Sequence, residues 1–152
     1  MKPIIRLSFL LIAVASFSGC SKVTIDLNIP SSLAGTWVLT DAAHKDAGGW
    51  YTVNTGVEKG IFYFYNNGKA RYIENGNTLE GTWNVQTIVS GYYDENGNFY
   101  TDAHQSLSLH LSNYAGDDTI DMDFDNVKIG ANSFVGTNYT KDYIGRYRFS
   151  RY

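Results

Sequence analysis

The chain of 152 residues has one cysteine, Cys20, and two prolines, Pro3 and Pro30. A single cysteine leaves no intramolecular disulfide, which excludes a small disulfide-stapled scaffold. No proline follows Pro30, so nothing interrupts a sheet on that account, since proline breaks the ladder of a central strand. Charge is sparse: 18% of residues are charged and the net charge is −3. There is no basic excess of the kind a nucleic-acid surface needs. No apolar run reaches the roughly 20 residues that cross a bilayer as a helix. What the chain does have is rings: twelve Tyr, eight Phe and three Trp, 15% of all residues. With 43% hydrophobic residues, it has enough apolar mass to bury a core and is no disordered chain. The length suits one domain with an appendage.

The appendage is the N-terminus. Lys2 and Arg6 are followed by the short apolar run Leu7–Phe17, LSFLLIAVASF. A basic start, a short apolar stretch and small residues after it form a secretory signal. The run closes on Phe17-Ser18-Gly19-Cys20, which resembles the lipobox of bacterial lipoproteins, with Phe17 where leucine is usual. The resemblance implies that residues 1–19 are a signal peptide. It also implies that Cys20 carries fatty-acyl chains such as palmitate and becomes the first residue of the mature protein. Ser21 follows rather than aspartate, which by the same resemblance implies an outer-membrane address. More than one acyl chain is needed for a stable anchor. Loss of Lys2 and Arg6 would take the net charge from −3 to −5. The mildly acidic balance argues against nucleic acid as a partner. Residues 20–32 then read as the lipidated cysteine and a tether, spanning up to roughly 40 Å if fully extended, and residues 33–152 as one domain.

Period two dominates that domain. Leu107, Leu109 and Leu111 alternate with Ser106, Ser108, His110 and Ser112, and Ile120, Met122 and Phe124 alternate with Asp121, Asp123 and Asp125. Such alternation marks strands with one dry and one wet face. No apolar helical stripe bounded by caps is present. Asn67-Gly68, Asn75-Gly76, the 94–98 segment DENGN and the 115–118 segment AGDD punctuate the pattern. Asn-Gly favours the type I′ hairpin, in which both central residues take positive φ. The pattern predicts about eight strands, near residues 34–42, 50–57, 60–66, 69–75, 79–91, 98–112, 118–128 and 132–150. Tight turns between successive strands predict an all-β, antiparallel, up-and-down meander that closes into an eight-stranded β-barrel, closure being the way to abolish both edges. A β-sandwich is the alternative.

Gly35-Thr36-Trp37 opens the first strand, and Gly81-Thr82-Trp83 repeats the triplet after IFYFYNNGKARYIENGNTLE. The first triplet resembles the Gly-x-Trp motif of lipocalins. The pair, together with the lipobox, resembles bacterial lipocalin-like domain lipoproteins. The resemblance implies a barrel whose closed end is plugged by Trp37, with an arginine of the last strand over its indole face. Arg146 and Arg148 share one face of that strand and Arg151 the other; Arg148, then Arg146, is expected to take the role. The domain has no clean counterpart of the second lipocalin motif, Thr-Asp-Tyr. Lipocalin-like barrels hold one small ligand, and Phe62, Phe64, Tyr72, Trp83 and Tyr147 are the candidate walls of such a cavity. The same rings could instead fill the barrel as core. Tyr92, Tyr93 and Tyr100, flanking the Asn96-Gly97 turn, are a second candidate contact surface, tyrosine being favoured at interfaces.

The chemistry of catalysis is thin. His44, His104 and His110 lack any metal-ligand spacing. Asp121, Asp123 and Asp125 form an acidic row, but one extended row does not enclose a calcium ion, which needs six to eight oxygens. No nucleophile elbow or phosphate loop occurs. The expectation is a non-enzymatic protein without metal or cofactor, held to a membrane by Cys20. It would bind a small apolar or amphipathic molecule inside the barrel. Alternatively, with a filled barrel, it would contact another envelope component through its loops.

Overall fold

The computed structural model describes residues 33–152; the expected signal peptide, Cys20 and the expected tether lie outside the described residues. Among the described residues every regular element is a strand. They are β1 (Gly35–Asp46), β2 (Gly49–Thr52), β3 (Ile61–Phe64), β4 (Lys69–Glu74), β5 (Asn77–Val89), β6 (Tyr92–Tyr93), β7 (Phe99–Tyr100), β8 (Ala103–Ser112), β9 (Thr119–Phe124), β10 (Asn126–Ile129), β11 (Ser133–Tyr139) and β12 (Ile144–Arg151).

Ten of them form one antiparallel sheet in the order β10-β11-β12-β1-β3-β4-β5-β8-β9, with β2 paired to β1 off this path; β6 and β7 form a separate hairpin. The expectation of eight strands closing into a barrel is corrected on both counts. The predicted 118–128 strand breaks at Asp125, where the chain changes neighbours: β9 pairs with β8, and β10 pairs with β11. The predicted 132–150 strand is two strands joined by a turn at 140–143, where the Thr140 N–H donates to the Tyr143 carbonyl at 2.9 Å. The ladder does not close on itself. Its two terminal strands, β9 and β10, are consecutive in the chain but have no pairing between them.

Turn chemistry sets the register. Asn75 and Gly76 both take positive φ, 49° and 85°, the type I′ geometry between Glu74 and Asn77. At Asn67-Gly68 only the glycine is left-handed, at φ 75°. The loop there is one residue longer, closed by the Tyr65 N–H to the Lys69 carbonyl at 2.9 Å.

A bulge decides which side chains of β1 face the core. Its pairing with β12 shifts between Leu39 and Asp41, so the dry face passes from Trp37 and Leu39 to Ala42 and His44. An extra residue in one strand resets the two-residue period in this way. Thr40, the residue skipped, donates its hydroxyl to the Arg148 carbonyl at 3.0 Å.

The dry face is filled with rings. Phe134 stacks on Phe149 at 4.3 Å, Trp37 meets Phe134 edge-on at 4.9 Å, Phe62 meets Phe149 at 5.7 Å, and Phe64 meets Trp83 at 5.5 Å. Leu33, Leu39, Leu79, Leu107, Leu109 and Leu111 fill the space between, all of them buried. Burying a side chain of this size contributes about 1.5–3 kcal/mol, so this cluster dominates the stability of the fold.

Candidate functional site

Two Gly-Thr-Trp triplets position two tryptophans in the same way. Trp37 Nε1–H donates to the Leu33 carbonyl at 2.8 Å, and Trp83 Nε1–H donates to the Tyr65 carbonyl at 2.9 Å. Each indole thus buries its rings and satisfies its one polar atom on backbone, as a buried tryptophan requires. Each glycine makes room. A Cβ on Gly35 would run into the Arg151 guanidinium, and one on Gly81 into the His110 carbonyl oxygen.

Arg151 is the arginine that lies over Trp37, its guanidinium carbon 4.3 Å from the ring centroid. Its Nε and Nη1 donate to the carbonyls of Ala131 and Ala34 at 3.1 and 3.0 Å. This corrects the expectation of Arg148 or Arg146. The register pairs Trp37 with Arg151 directly, and directly opposed residues share a face. Arg146 and Arg148 project from the other face. Arg146 covers Trp50 at 4.4 Å and faces Asp41 at 3.5 Å. Arg148 reaches Asp41 at 3.7 Å and Glu95 at 3.4 Å.

The candidate cavity residues separate into two groups. Phe62, Phe64, Tyr72 and Trp83 are buried members of the ring cluster. They pack on one another, Phe62 and Tyr72 4.7 Å apart, and Tyr72 also borders a surface cleft, with Val57, Leu79 and Ile120. The Tyr72 hydroxyl donates to Glu74 Oε2 at 2.5 Å, and burial, reinforced by that carboxylate, raises its pKa strongly. Tyr147 is half-buried and lines a cleft of about 380 Å³ with His44, Val53, Val57, Ile120, Met122 and Phe124. His44 Nε2 and the Tyr147 hydroxyl share a hydrogen bond at 3.2 Å. The His44 ring stacks on Tyr143 at 3.7 Å, and burial lowers its pKa. Desolvation, mainly, raises that of Tyr147. The imidazole and phenol add polar atoms to a cleft that the Asp121 and Asp123 side chains also line.

The other rings are on the outside. The hairpin β6–β7 is inserted between β5 and β8 but lies against the far part of the sheet. Thr137 of β11 donates its hydroxyl to the Tyr93 carbonyl at 2.6 Å. Arg146 Nη1–H donates to the Glu95 carbonyl at 3.3 Å, and Lys128 reaches the Glu95 carboxylate at 3.4 Å. The turn is hydrogen-bonded within itself: Asp94 Oδ1 accepts from the N–H groups of Asn96 and Asn98 at 2.9 and 2.8 Å. These bonds hold the Asp94 carboxyl below its usual range, against the opposing effect of burial.

On this support the rings make two runs. Tyr93 meets Phe99 at 5.2 Å and Tyr139 at 5.0 Å. Tyr92 stacks on Tyr100 at 5.6 Å and covers His104 at 4.0 Å. Phe99 is 58% exposed, Tyr100 43% and Tyr139 56%. His104 Nδ1–H donates to the Asp102 carbonyl at 2.8 Å, and its buried Nε2 has no hydrogen-bond partner among the described residues. Of Tyr92, Tyr93 and Tyr100, expected to face outward beside the turn, Tyr100 is exposed and Tyr92 and Tyr93 are half-buried. Phe99 and Tyr139 were not legible as part of that surface, because only the fold of the hairpin onto β11 brings Tyr139 to it.

Among the described residues no group of three or more His, Cys, Asp or Glu is arranged to hold a metal ion. His110 sits on the wet face of β8 and pairs with Asp121 of β9. No family model, curated protein or solved structure matches this chain.

Proposed function

We propose that the protein is an exported, lipid-anchored cell-envelope protein, and that its domain is an interaction module whose contact surface is the β6–β7 hairpin. The observation that carries this reading is the division of the rings. Phe62, Phe64, Tyr72 and Trp83 are used up in the core, whereas Phe99 and Tyr100 of β7 and Tyr139 of the neighbouring β11 stand in solvent, beside a turn that is hydrogen-bonded into one shape. Exposed aromatics on a pre-organised support supply contact area at low entropic cost, and such residues dominate binding energy at interfaces. The frame of this reading is the ten-stranded antiparallel sheet, whose two end strands, β9 and β10, are consecutive in the chain. Anchoring by acylated Cys20 would hold the hairpin near the membrane, within reach of another envelope component.

The test has two arms. Membrane fractionation and intact mass of the full chain, beside Cys20→Ala, should show acylation and membrane retention that the variant loses. Crosslinking in a bacterial host, from a photoreactive residue at position 100, should trap a specific envelope partner, and Phe99→Ala with Tyr139→Ala should abolish the adduct. Absence of any adduct, with the anchor intact, defeats the interaction reading.

A second reading rests on the cleft beside Tyr147, which at about 380 Å³ reaches the size of small-molecule sites. Its ligand would be amphipathic, placing an apolar part on Val57 and Met122 and a polar part on His44 and Tyr147. Retention of a small molecule after extraction from envelope lipids, with loss in Tyr147→Ala, would favour it over the hairpin.

A further inference from the structure

The far edge of β9 is unpaired among the described strands and lies apart from the hairpin. β9 pairs with β8 along one side, from Leu107↔Phe124 to Ser112↔Thr119, and with no described strand along the other. Every second N–H and C=O of an edge strand points away from its neighbour. Here they point toward the cleft, which side chains from both faces of β9 line: Ile120, Met122 and Phe124 from the dry face, Asp121 and Asp123 from the wet face. A groove bounded by one strand's two faces has the shape of a vacant place for a further strand. Its opposite wall, from Val53, Val57 and Tyr147, offers apolar contact to alternate side chains of whatever lies there.

We propose that this edge takes an extended segment of a partner protein by strand addition, with apolar residues at alternate positions and Lys or Arg between them. Main-chain hydrogen bonds to β9 supply affinity, and the alternate pockets supply specificity. The charge requirement comes from the wet face. Asp121 is paired with His110, while Asp123 has no hydrogen-bond or ion-pair partner among the described residues. Basic residues on the incoming strand would sit opposite these carboxylates, where opposite charges stabilise and like charges destabilise. The same rule argues against a second copy of β9, which would bring its own aspartates to the row. It also argues against this chain's Val23–Ile29 segment, which alternates apolar residues but carries Asp26 among its polar ones.

The test uses the full-length chain and a synthetic seven-residue peptide alternating valine and lysine, with the valine–glutamate version as control. Amide hydrogen exchange should slow about tenfold or more at alternate positions of residues 119–124 with the lysine peptide only. The charge reversal Asp121→Lys with Asp123→Lys should weaken peptide binding by about tenfold or more, a step of about 1.4 kcal/mol. Asp123→Asn should give a smaller loss, and circular dichroism should be unchanged in both. No protection of β9 at millimolar peptide overturns the proposal, as does equal protection by both peptides. Protection without peptide also overturns it: in a dimer it hands the edge to a second copy, and in a monomer, if lost on deletion of residues 21–32, to the chain's own segment.

Discussion

Two sets of aromatic residues, alike in sequence, have opposite fates. In β3 the alternation Ile61-Phe62-Tyr63-Phe64 buries both phenylalanines beneath the sheet. In the hairpin, Tyr92-Tyr93 and Phe99-Tyr100 also sit on paired strands, yet Phe99 and Tyr100 stay in solvent. The difference lies in what each strand has beneath it. β3 is central, between β1 and β4, and has the whole ring cluster under it. The hairpin is a two-stranded outlier: Tyr93 meets Tyr139 on one face and Tyr92 covers His104 on the other, and neither face has a ring cluster behind it. Aromatic content by itself therefore says little about a pocket; the layer behind the strand decides.

The largest expected effect that could break this comparison is at Phe149, which touches Phe62, Phe124 and Phe134. Phe149→Ala should cost about 3–5 kcal/mol in urea unfolding, in line with large-to-small core changes, while Phe99→Ala should cost under about 0.5 kcal/mol, as exposed positions do. Equal losses would mean the hairpin rings are structural after all.

Next in size is Gly35→Ala, because Gly35 has φ 136° and the Arg151 guanidinium occupies the space its Cβ would need. It should cost about 1–3 kcal/mol. The double variant with Arg151→Ala should recover part of this loss, leaving only the backbone strain, and a strictly additive cycle would exclude the clash as a cause.

A smaller effect is expected at the hairpin latch. Glu95 meets Arg148 and Lys128 at 3.4 Å each, but these are partly solvated pairs and contribute about 0–1 kcal/mol each. Glu95→Gln should leave the unfolding midpoint nearly unchanged and speed amide exchange in residues 92–100, more so at low salt.

The smallest effect is the pH dependence from His44. Burial lowers its folded-state pKa below the unfolded value. Below that unfolded value the unfolded chain binds the proton first, so stability falls as pH drops through the ordinary histidine range and levels off below the folded pKa. His44→Asn should flatten that slope in unfolding titrations between about pH 7 and 5, the range in which unperturbed histidine changes charge.

The strands were legible because period two is a local property. The leucines of β8 and the apolar residues of β9 were placed on one face by spacing alone. The bulge at Thr40 was not legible, since an extra residue leaves no mark in composition; yet it turns His44 toward the cleft and leaves Asp41 facing Arg146 and Arg148. The arginine over Trp37 was missed for a related reason. The motif named the partner type, but the choice among three arginines depends on which one the β1–β12 register sets opposite Trp37, and register is a long-range fact.

By itself the sequence determined an all-β antiparallel fold, the sites of its turns, and an excess of rings beyond what strand faces on the surface need. These follow from short-range chemistry: alternation, left-handed glycines and the absence of proline. Only the tertiary structure decided which rings became core and which remained outside, which arginine covers the tryptophan, and that β9 keeps an unpaired edge. Those outcomes depend on which strands become neighbours, and no residue carries that information alone.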